Sequence, residues 1–171
     1  AAGRLDDMSV GVALLLCDNI GEARVLASEL DALNQTRKEI EQGMQAEALT
    51  LCEKLERSGD TLPGGLAMYH PEWHQGVVGI LASRIKERFH RPVIAFAPAG
   101  DGTLKGSGRS IQGLHMRDAL ERLDTLHPNL MIKFGGHAMA AGLSLEEAKF
   151  DEFQRLFGEL VTEWIDPALL Q

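Results

Sequence analysis

The feature that most constrains the fold is an uninterrupted helical pattern from Ile20 to about Arg57. Its apolar residues recur at steps of mostly three and four, which aligns them in one helical stripe: Leu26, Leu30, Leu33, Ile40, Met44, Ala48, Leu51 and Leu55. No proline breaks the run, and Gly43 is its only weak point. At about 1.5 Å per residue, the helix would extend roughly 55 Å, which exceeds the needs of a small domain. We therefore predict a long arm that links two bodies.

The flanks of this arm carry helix signals as well. Residues 9–17 are a short apolar segment, helix or strand, for which helix is favoured, and Asp18 or Asn19 can cap the next helix. Gly59, in Ser58-Gly59-Asp60, is suited to end the arm. Cys17 and Cys52 both fall in helical patterns, far apart, which predicts two buried thiols in a reduced, cytoplasmic protein.

After Pro63 the pattern alternates between strands and helices. The predicted strands are residues 66–69, 92–97, 103–111, 130–134 and 140–145, and the predicted helices are residues 74–89, 116–126 and 146–164. The closing helix is expected to turn Phe150, Phe153, Phe157, Leu160 and Trp164 inward. Because some connections are short, we expect a mixed sheet. The predicted fold is α/β: a long N-terminal helical arm followed by a mixed β-sheet domain with helices packed on it.

The charge distribution is uneven along the chain. The net charge is −8, but residues 63–137 carry 9 Lys or Arg and 6 Asp or Glu between two acidic flanks. A locally basic face is compatible with a phosphate-bearing ligand, although scattered solvated charge is the commoner explanation. No apolar run approaches a membrane span, and no secretory signal pattern is found. The start at Ala1-Ala2-Gly3-Arg4, without Met, suggests the interior of a longer protein.

The segment from Lys105 to Ser110, Lys-Gly-Ser-Gly-Arg-Ser, is a candidate phosphate site. Strand alternation would place Lys105, Ser107 and Arg109 on one face. Backbone amides, a hydroxyl and a guanidinium fork together match the oxygens of a phosphate. The alternative is an edge strand with solvated side chains.

A second glycine-rich stretch runs from Phe134 to Leu143 and contains Gly135-Gly136-His137. Adjacent glycines permit positive φ or a close approach of another group, and imidazole donates, accepts or titrates near neutral pH. The alternative is a tight turn beside a buried core histidine.

No metal site is predicted within this sequence. His70-Pro71-Glu72-Trp73-His74 lacks the H-E-x-x-H order of zinc hydrolases, and Pro71 predicts a loop that enters the next helix. His74 could face a ligand there. Asp6 and Asp7 are more typical of a capping pair than of metal ligands.

Taken in order, the motifs resemble the RecJ family of bacterial single-stranded-DNA-specific 5′→3′ exonucleases, within the DHH phosphoesterase superfamily. The resemblance covers nearly the whole chain and rests on Ala1-Ala2-Gly3-Arg4-Leu5, the long helix, His70-Pro-Glu-Trp-His74-Gln-Gly-Val-Val-Gly-Ile80, Gly106-Ser107-Gly108-Arg109-Ser110 and Phe134-Gly135-Gly136-His137. It implies that residues 1–19 end a DHH catalytic domain, 20–60 form an interdomain helix and 61–171 form the DHH-associated domain. It also implies phosphodiester hydrolysis in DNA repair and recombination, with Mn²⁺ or Mg²⁺ bound by DHH residues that precede Ala1.

The same resemblance assigns roles to individual residues. Ser107 and Arg109 match the element that holds the 5′-phosphate and backbone, and His137 matches the histidine that positions substrate near the scissile phosphate. Further DNA-contacting candidates are Gly135, Gly136, Arg4, Arg84 and Lys105. The expected partner is single-stranded DNA with a 5′ end, a single-strand-binding protein is a further candidate, and the full-length protein is expected to be a cytoplasmic monomer without membrane contact. This segment alone is expected to be inactive.

Two alternatives stay open at this point. One is a DHH-family hydrolase that acts on short oligoribonucleotides or dinucleotides. The other is a non-catalytic module that docks a repair partner, which the acidic flanks weakly favour.

Overall fold

The computed structural model describes residues 9–57 and 61–170, except for the side chains of Ser9 and Leu55. The helices in these ranges are α1 (Ser9–Leu15), α2 (Ile20–Arg57), α3 (Val78–Phe89), α4 (Met116–Leu126) and α5 (Phe150–Trp164). The strands are β1 (Leu66–Tyr69), β2 (Val93–Gly100), β3 (Thr103–Arg109), β4 (Lys133–Gly136) and β5 (Ala140–Glu146). Short 3₁₀ turns cover Glu147–Lys149 and Pro167–Leu170.

The chain divides into two compact units, Ala1–Met44 and Gln45–Gln171. In the first unit, Asn19 caps α2 as predicted, because its Oδ1 accepts from the amides of Gly21 (2.8 Å) and Glu22 (3.3 Å). The predicted helix from Ile20 to Arg57 and the short helix before it are confirmed. Cys17 was wrongly expected to be helical and buried: it follows α1 and is half-buried.

The second unit is built on a five-stranded mixed sheet in the order β1-β2-β3-β5-β4. β1 and β2 are parallel, joined through α3, and the remaining neighbours are antiparallel. The predicted mixed sheet with packed helices is therefore confirmed.

One side of the sheet is covered by α4 and α5 and holds the main core. Phe96 of β2 meets Phe153 of α5 edge to face at 5.4 Å, and Phe153 stacks on Phe157 at 5.8 Å. All three rings are fully buried. α3 packs against β2 and β3.

Several predicted helix details were wrong. α3 begins at Val78 rather than residue 74, because His74 captures the amide of Gly76 (2.9 Å) and residues 75–77 form a turn. α5 begins at Phe150, after a 3₁₀ turn. Trp164 is 41% exposed instead of inward, because it lies in the last turn of α5. On α2, Met44, Ala48 and Cys52 are buried, whereas Leu51 of the predicted stripe is exposed.

The strand before the glycine pair also differs from the prediction. β4 begins at Lys133 rather than residue 130, because Leu130 and Met131 turn into the core and are 3% and 5% exposed. The strand then continues through Gly135 and Gly136 instead of leading up to them. The glycine pair is thus part of the sheet.

Candidate nucleic-acid interface

Strand β3 has two chemically different sides. Leu104, Gly106 and Gly108 are fully buried and belong to the core side. Lys105, Ser107 and Arg109 alternate with them and project to the opposite side, as the period of a strand requires. The three candidate phosphate ligands therefore share one face.

The pairing register extends this face across β5 and β4. Directly paired antiparallel residues project to the same side, so the register defines rows across the strands. We call the surface that these rows form the open face, and its rows are Arg109–Ala140, Ser107–Gly142–Gly135 and Lys105–Ser144–Lys133. Successive rows are two residues, or about 7 Å, apart. The open face thus combines small residues with cations and hydroxyls.

Ser107 and Arg109 lie against the first turn of α3. A Cβ added to Gly79 would be 2.8 Å from Nη2 of Arg109 and 3.7 Å from Oγ of Ser107. The glycine therefore makes room for the guanidinium, whose Nη1 also donates to the carbonyl of Gly108 at 2.8 Å. A helix N-terminus carries partial positive charge and the guanidinium carries a full one, so an anion here would relieve their repulsion.

The two adjacent glycines differ in backbone conformation and in the space that a side chain would find. Gly136 has φ of 140°, and a Cβ there would be 2.5 Å from Cα of Ala141. Gly135 has no atom within 4 Å of such a Cβ and no positive φ. Packing therefore requires glycine at 136, whereas at 135 the missing side chain only leaves the backbone exposed.

His137 follows β4 in a loop held from both ends. Its amide donates to the carbonyl of Ala140 (2.7 Å), while the carbonyls of Ala138 and Met139 accept from the amides of Met116 (2.7 Å) and Ser110 (3.0 Å). His137 is exposed, so the core-histidine alternative is wrong. Since Ala140 pairs with Arg109, the backbones of His137 and Arg109 lie at the same end of the open face.

The structure does not bring all the other predicted DNA-contacting residues to the open face. Arg84 is exposed on α3 with its Nη1 3.8 Å from Glu87. It lies five residues from Gly79, roughly 140° around the helix, and so points away from β3. Arg4 lies outside the described residues.

The histidine-rich loop has a structural role. Nε1 of Trp73, a buried residue, donates to Glu47 at 2.8 Å, and Nδ1 of His70 accepts from the amide of Glu72 at 3.1 Å. Across residues 9–57 and 61–170, no group of three or more His, Cys, Asp or Glu side chains could hold a metal ion.

A larger groove of about 1060 Å³ lies elsewhere, between β1, α5 and the end of α2. Its charged lining is balanced, with Lys54 and Arg155 against Glu159 and Glu163, and is otherwise mainly apolar. Burial raises the pKa of Cys52, which lines this groove, to about 11. The groove therefore lacks the cationic character that an anionic ligand requires.

Four residues of this region were not singled out from the sequence: Gly79, Lys133, Gly142 and Ser144. Residues 140–145 were predicted as a strand, but only the pairing with β3 and β4 places Gly142 beside Ser107 and Ser144 between two lysines. Gly79 reaches Arg109 only through the packing of α3.

Comparison with known proteins agrees with this architecture. Residues 63–163 match the DHHA1 domain family. The whole chain is 93% identical to the single-stranded-DNA-specific exonuclease RecJ of Salmonella typhimurium and 92% identical to that of Escherichia coli, and it spans 30% of the length of each. Within the described ranges, no helix has both the length and the apolar character needed to cross a bilayer.

A solved structure gives the same relationship in three dimensions. The crystal structure of RecJ in complex with Mg²⁺ from Thermus thermophilus matches 97% of this chain and 24% of its own, with a TM-score of 0.78 and 34% identity. Sequence and fold therefore agree that the chain belongs to the DHHA1 domain family, in the form that RecJ proteins carry.

Proposed function

We propose that residues 61–171 form the substrate-positioning domain of a single-stranded-DNA 5′→3′ exonuclease, which hydrolyses phosphodiester bonds in DNA repair and recombination. The high identity to RecJ proteins over the whole chain supports this proposal. The observation that carries it is the convergence of Ser107, Arg109 and the first turn of α3 at Gly79. These groups together favour an anion with several oxygens, and the 5′-phosphate of a DNA strand is such a group.

In this proposal, Arg109 and Ser107 bind the 5′-phosphate and the adjoining backbone. The guanidinium contributes a two-pronged, permanently charged donor, and the Ser107 hydroxyl contributes one more hydrogen bond. The described side chains of the open face are Lys, Ser, Ala and Arg, with bare backbone at its glycines. Such a surface recognises phosphate and sugar rather than base edges, so we expect little sequence preference.

Gly135, Gly136 and His137 would form the wall near the scissile phosphate. Gly135 exposes its backbone to an approaching strand, while Gly136 allows the turn that presents His137. The hydrogen bonds on both sides of His137 fix the loop backbone before substrate binds. Fixed placement of a binding group lowers the entropic cost of reaching a reactive geometry, so His137 acts as a positioning residue.

The hydrolytic metal ions belong to another part of the full-length protein in this proposal. RecJ proteins have been solved with Mg²⁺ and with Mn²⁺. The described residues do not fit such an ion, and we assign Mn²⁺ or Mg²⁺ to a DHH domain of which residues 1–19 are the end.

Residues 20–60 would then be the interdomain helix. Leu15, Leu16 and Ile20 support this organisation, because they are 86%, 77% and 73% exposed and suit burial against further protein.

The proposed setting is a cytoplasmic monomer that acts on single-stranded DNA with a 5′ end. A single-strand-binding protein is a proposed partner, because it would hold the same strand. Lys105 is included in the DNA-contacting surface through its place on the open face.

The direct test replaces Arg109 by Ala in this chain. Binding of a 5′-phosphorylated DNA strand, measured by fluorescence anisotropy, is expected to weaken by about 1–3 kcal/mol through loss of a charge-assisted contact. Arg109→Lys keeps the charge but not the fork, and we expect it to restore part of the loss. Arg122→Ala, which removes an exposed arginine from α4, is the matched control. Equal affinity of the Arg109→Ala variant and wild type would refute the assignment.

Substrate class and activity need separate measurements. In the Escherichia coli relative, the corresponding Arg109→Ala substitution should reduce cleavage of single-stranded DNA. Stronger cleavage of di- to pentaribonucleotides than of DNA would favour the oligoribonuclease alternative. Release of nucleotides by the purified 171-residue chain with Mn²⁺ would contradict our placement of the metal ions.

A further inference from the structure

We infer that Lys105, Lys133 and Ser144 form a second phosphate subsite, one step along the strand from the Ser107–Arg109 site. This inference rests on the proposed function, since it extends the same binding surface. Its central observation is the row Lys105–Ser144–Lys133, in which Ser144 pairs with Lys105 on one side and with Lys133 on the other.

The geometry allows both lysines to reach one group. Their backbones lie two strands apart, or about 10 Å, and both residues project to the open face. Lysine side chains are long and flexible, so their ammonium groups can converge above the Ser144 hydroxyl. All three residues line one depression of about 210 Å³, together with Gly135 and Gly142. This volume is below the roughly 300–1,000 Å³ of small-molecule sites, which suits one phosphate group of a longer chain.

Charge supports the same ligand. Within the described ranges, neither Lys105 nor Lys133 has an acidic group within ion-pair distance, whereas Arg37, Arg84 and Arg155 each pair with a glutamate. Two lysines that flank one residue repel each other, and an anion between them removes that repulsion. The next row along the face is Thr103–Glu146, where a carboxylate opposes further anionic contacts. The cationic surface therefore has a defined end at the lysine row.

The row spacing determines which phosphate is bound. The lysine row lies about 7 Å from the Ser107–Gly142–Gly135 row. Successive phosphates of one strand are separated by a sugar-phosphate unit of comparable length, so neighbouring phosphates can occupy the two rows. Gly142 and Gly135 carry no side chain that would obstruct the path between the rows. The path between the rows is therefore open to the backbone of one strand.

The test measures affinity against strand length. The chain is titrated with 5′-phosphorylated thymidine oligonucleotides of one, two, three and eight residues, and the double variant Lys105→Gln/Lys133→Gln is compared with wild type. Wild-type affinity should rise from the mononucleotide to the dinucleotide, which is the shortest strand with a second phosphate, and the variant should lose about tenfold on these longer strands and little on the mononucleotide. Its slope of log affinity against log salt should fall by about 0.7, the value for one phosphate of a single strand.

Two controls make the outcome specific. Arg117→Gln/Arg122→Gln removes the same charge from exposed positions on α4, on the other side of the sheet, and should leave the length dependence unchanged. A 5′-phosphorylated dinucleotide whose single linkage is an uncharged methylphosphonate should bind wild type and the lysine variant equally.

The contrary results are equally defined. If the lysine variant follows wild type at every length, the second subsite is wrong. If Arg109→Ala has no effect either, the proposed function is wrong as well. If Arg109→Ala weakens all lengths equally while the lysine variant changes none, only the second subsite fails.

Discussion

Glycine residues have opposite roles on the two sides of the sheet. On the covered side, a Cβ at Gly106 would lie 2.5 Å from the ring of Phe96, so the missing side chain makes room for a core aromatic. On the open face, Gly135 would meet no atom within 4 Å. The first glycine is filled by the protein itself, and the second leaves space that the described residues do not use. Unfilled space beside cationic side chains, as above Gly135, is typical of a binding surface and not of a core.

The same contrast shows that the volume of a groove and the charge of its lining residues lead to different candidate sites. The groove between β1, α5 and the end of α2 has balanced charge, whereas the open face has a smaller depression bordered by Lys105 and Lys133. Apolar volume favours apolar ligands, but a phosphate chain requires donors and positive charge. The smaller region is therefore the better candidate for nucleic acid.

The largest effect is expected on the covered side, at Phe153. Phe153→Ala should lower the free energy of unfolding by about 3–5 kcal/mol, because it removes a fully buried ring that contacts two others. Urea unfolding followed by circular dichroism measures this. Below the transition, the folded variant should bind DNA as wild type does. Loss of DNA affinity in the folded protein would blur the distinction between the two sides.

The two adjacent glycines should differ from each other in stability. Gly136→Ala should destabilise the fold by about 1–3 kcal/mol, because alanine is strained at φ of 140° and its Cβ would clash with Ala141. Gly135→Ala should leave stability unchanged or raise it by up to about 1 kcal/mol, because alanine loses less backbone entropy in a strand.

For DNA binding by the folded protein, we expect the order of the two alanine variants to be reversed, with the larger loss of affinity at Gly135. Among folded molecules, Gly135→Ala should weaken binding of single-stranded DNA, because its methyl group projects onto the open face beside Gly142. Thermal unfolding and anisotropy on the same samples separate the two effects. Equal destabilisation by both variants would remove the distinction between a packing glycine and a binding glycine.

The smallest effect concerns alkaline pH and the buried thiol of Cys52. Its pKa is raised from about 9 to about 11 in the folded state, so the folded protein holds this proton more tightly than the unfolded chain. The resulting stability is fully present below pH 9 and is lost as pH rises through 11. At pH 10 the loss should be about 1 kcal/mol. Cys52→Ala should remove this component, so the difference in unfolding free energy between wild type and variant should change between pH 8 and 10.

Much of the fold was readable from local pattern. The bounds of α2 and α4 follow from uninterrupted periodicity, and Asn19 marks the start of α2 through its capping chemistry. Errors fell where a side-chain hydrogen bond or burial in the core competes with the pattern of a helix or strand. His74 captures an amide and delays α3, while burial of Leu130 and Met131 postpones β4. These contacts join or bury residues in ways that periodicity does not encode.

The candidate site, too, could be predicted only in part from the sequence. That Lys105, Ser107 and Arg109 share a face follows from the order of residues alone, because side chains alternate along any strand. The glycine pair before His137 is likewise visible in the sequence. The position of β5 between β3 and β4, which brings Gly142, Ser144 and Lys133 onto the same face, is known only from the folded molecule. Strand order depends on long-range packing of β3, β5 and β4 over a shared core, and no local pattern specifies it.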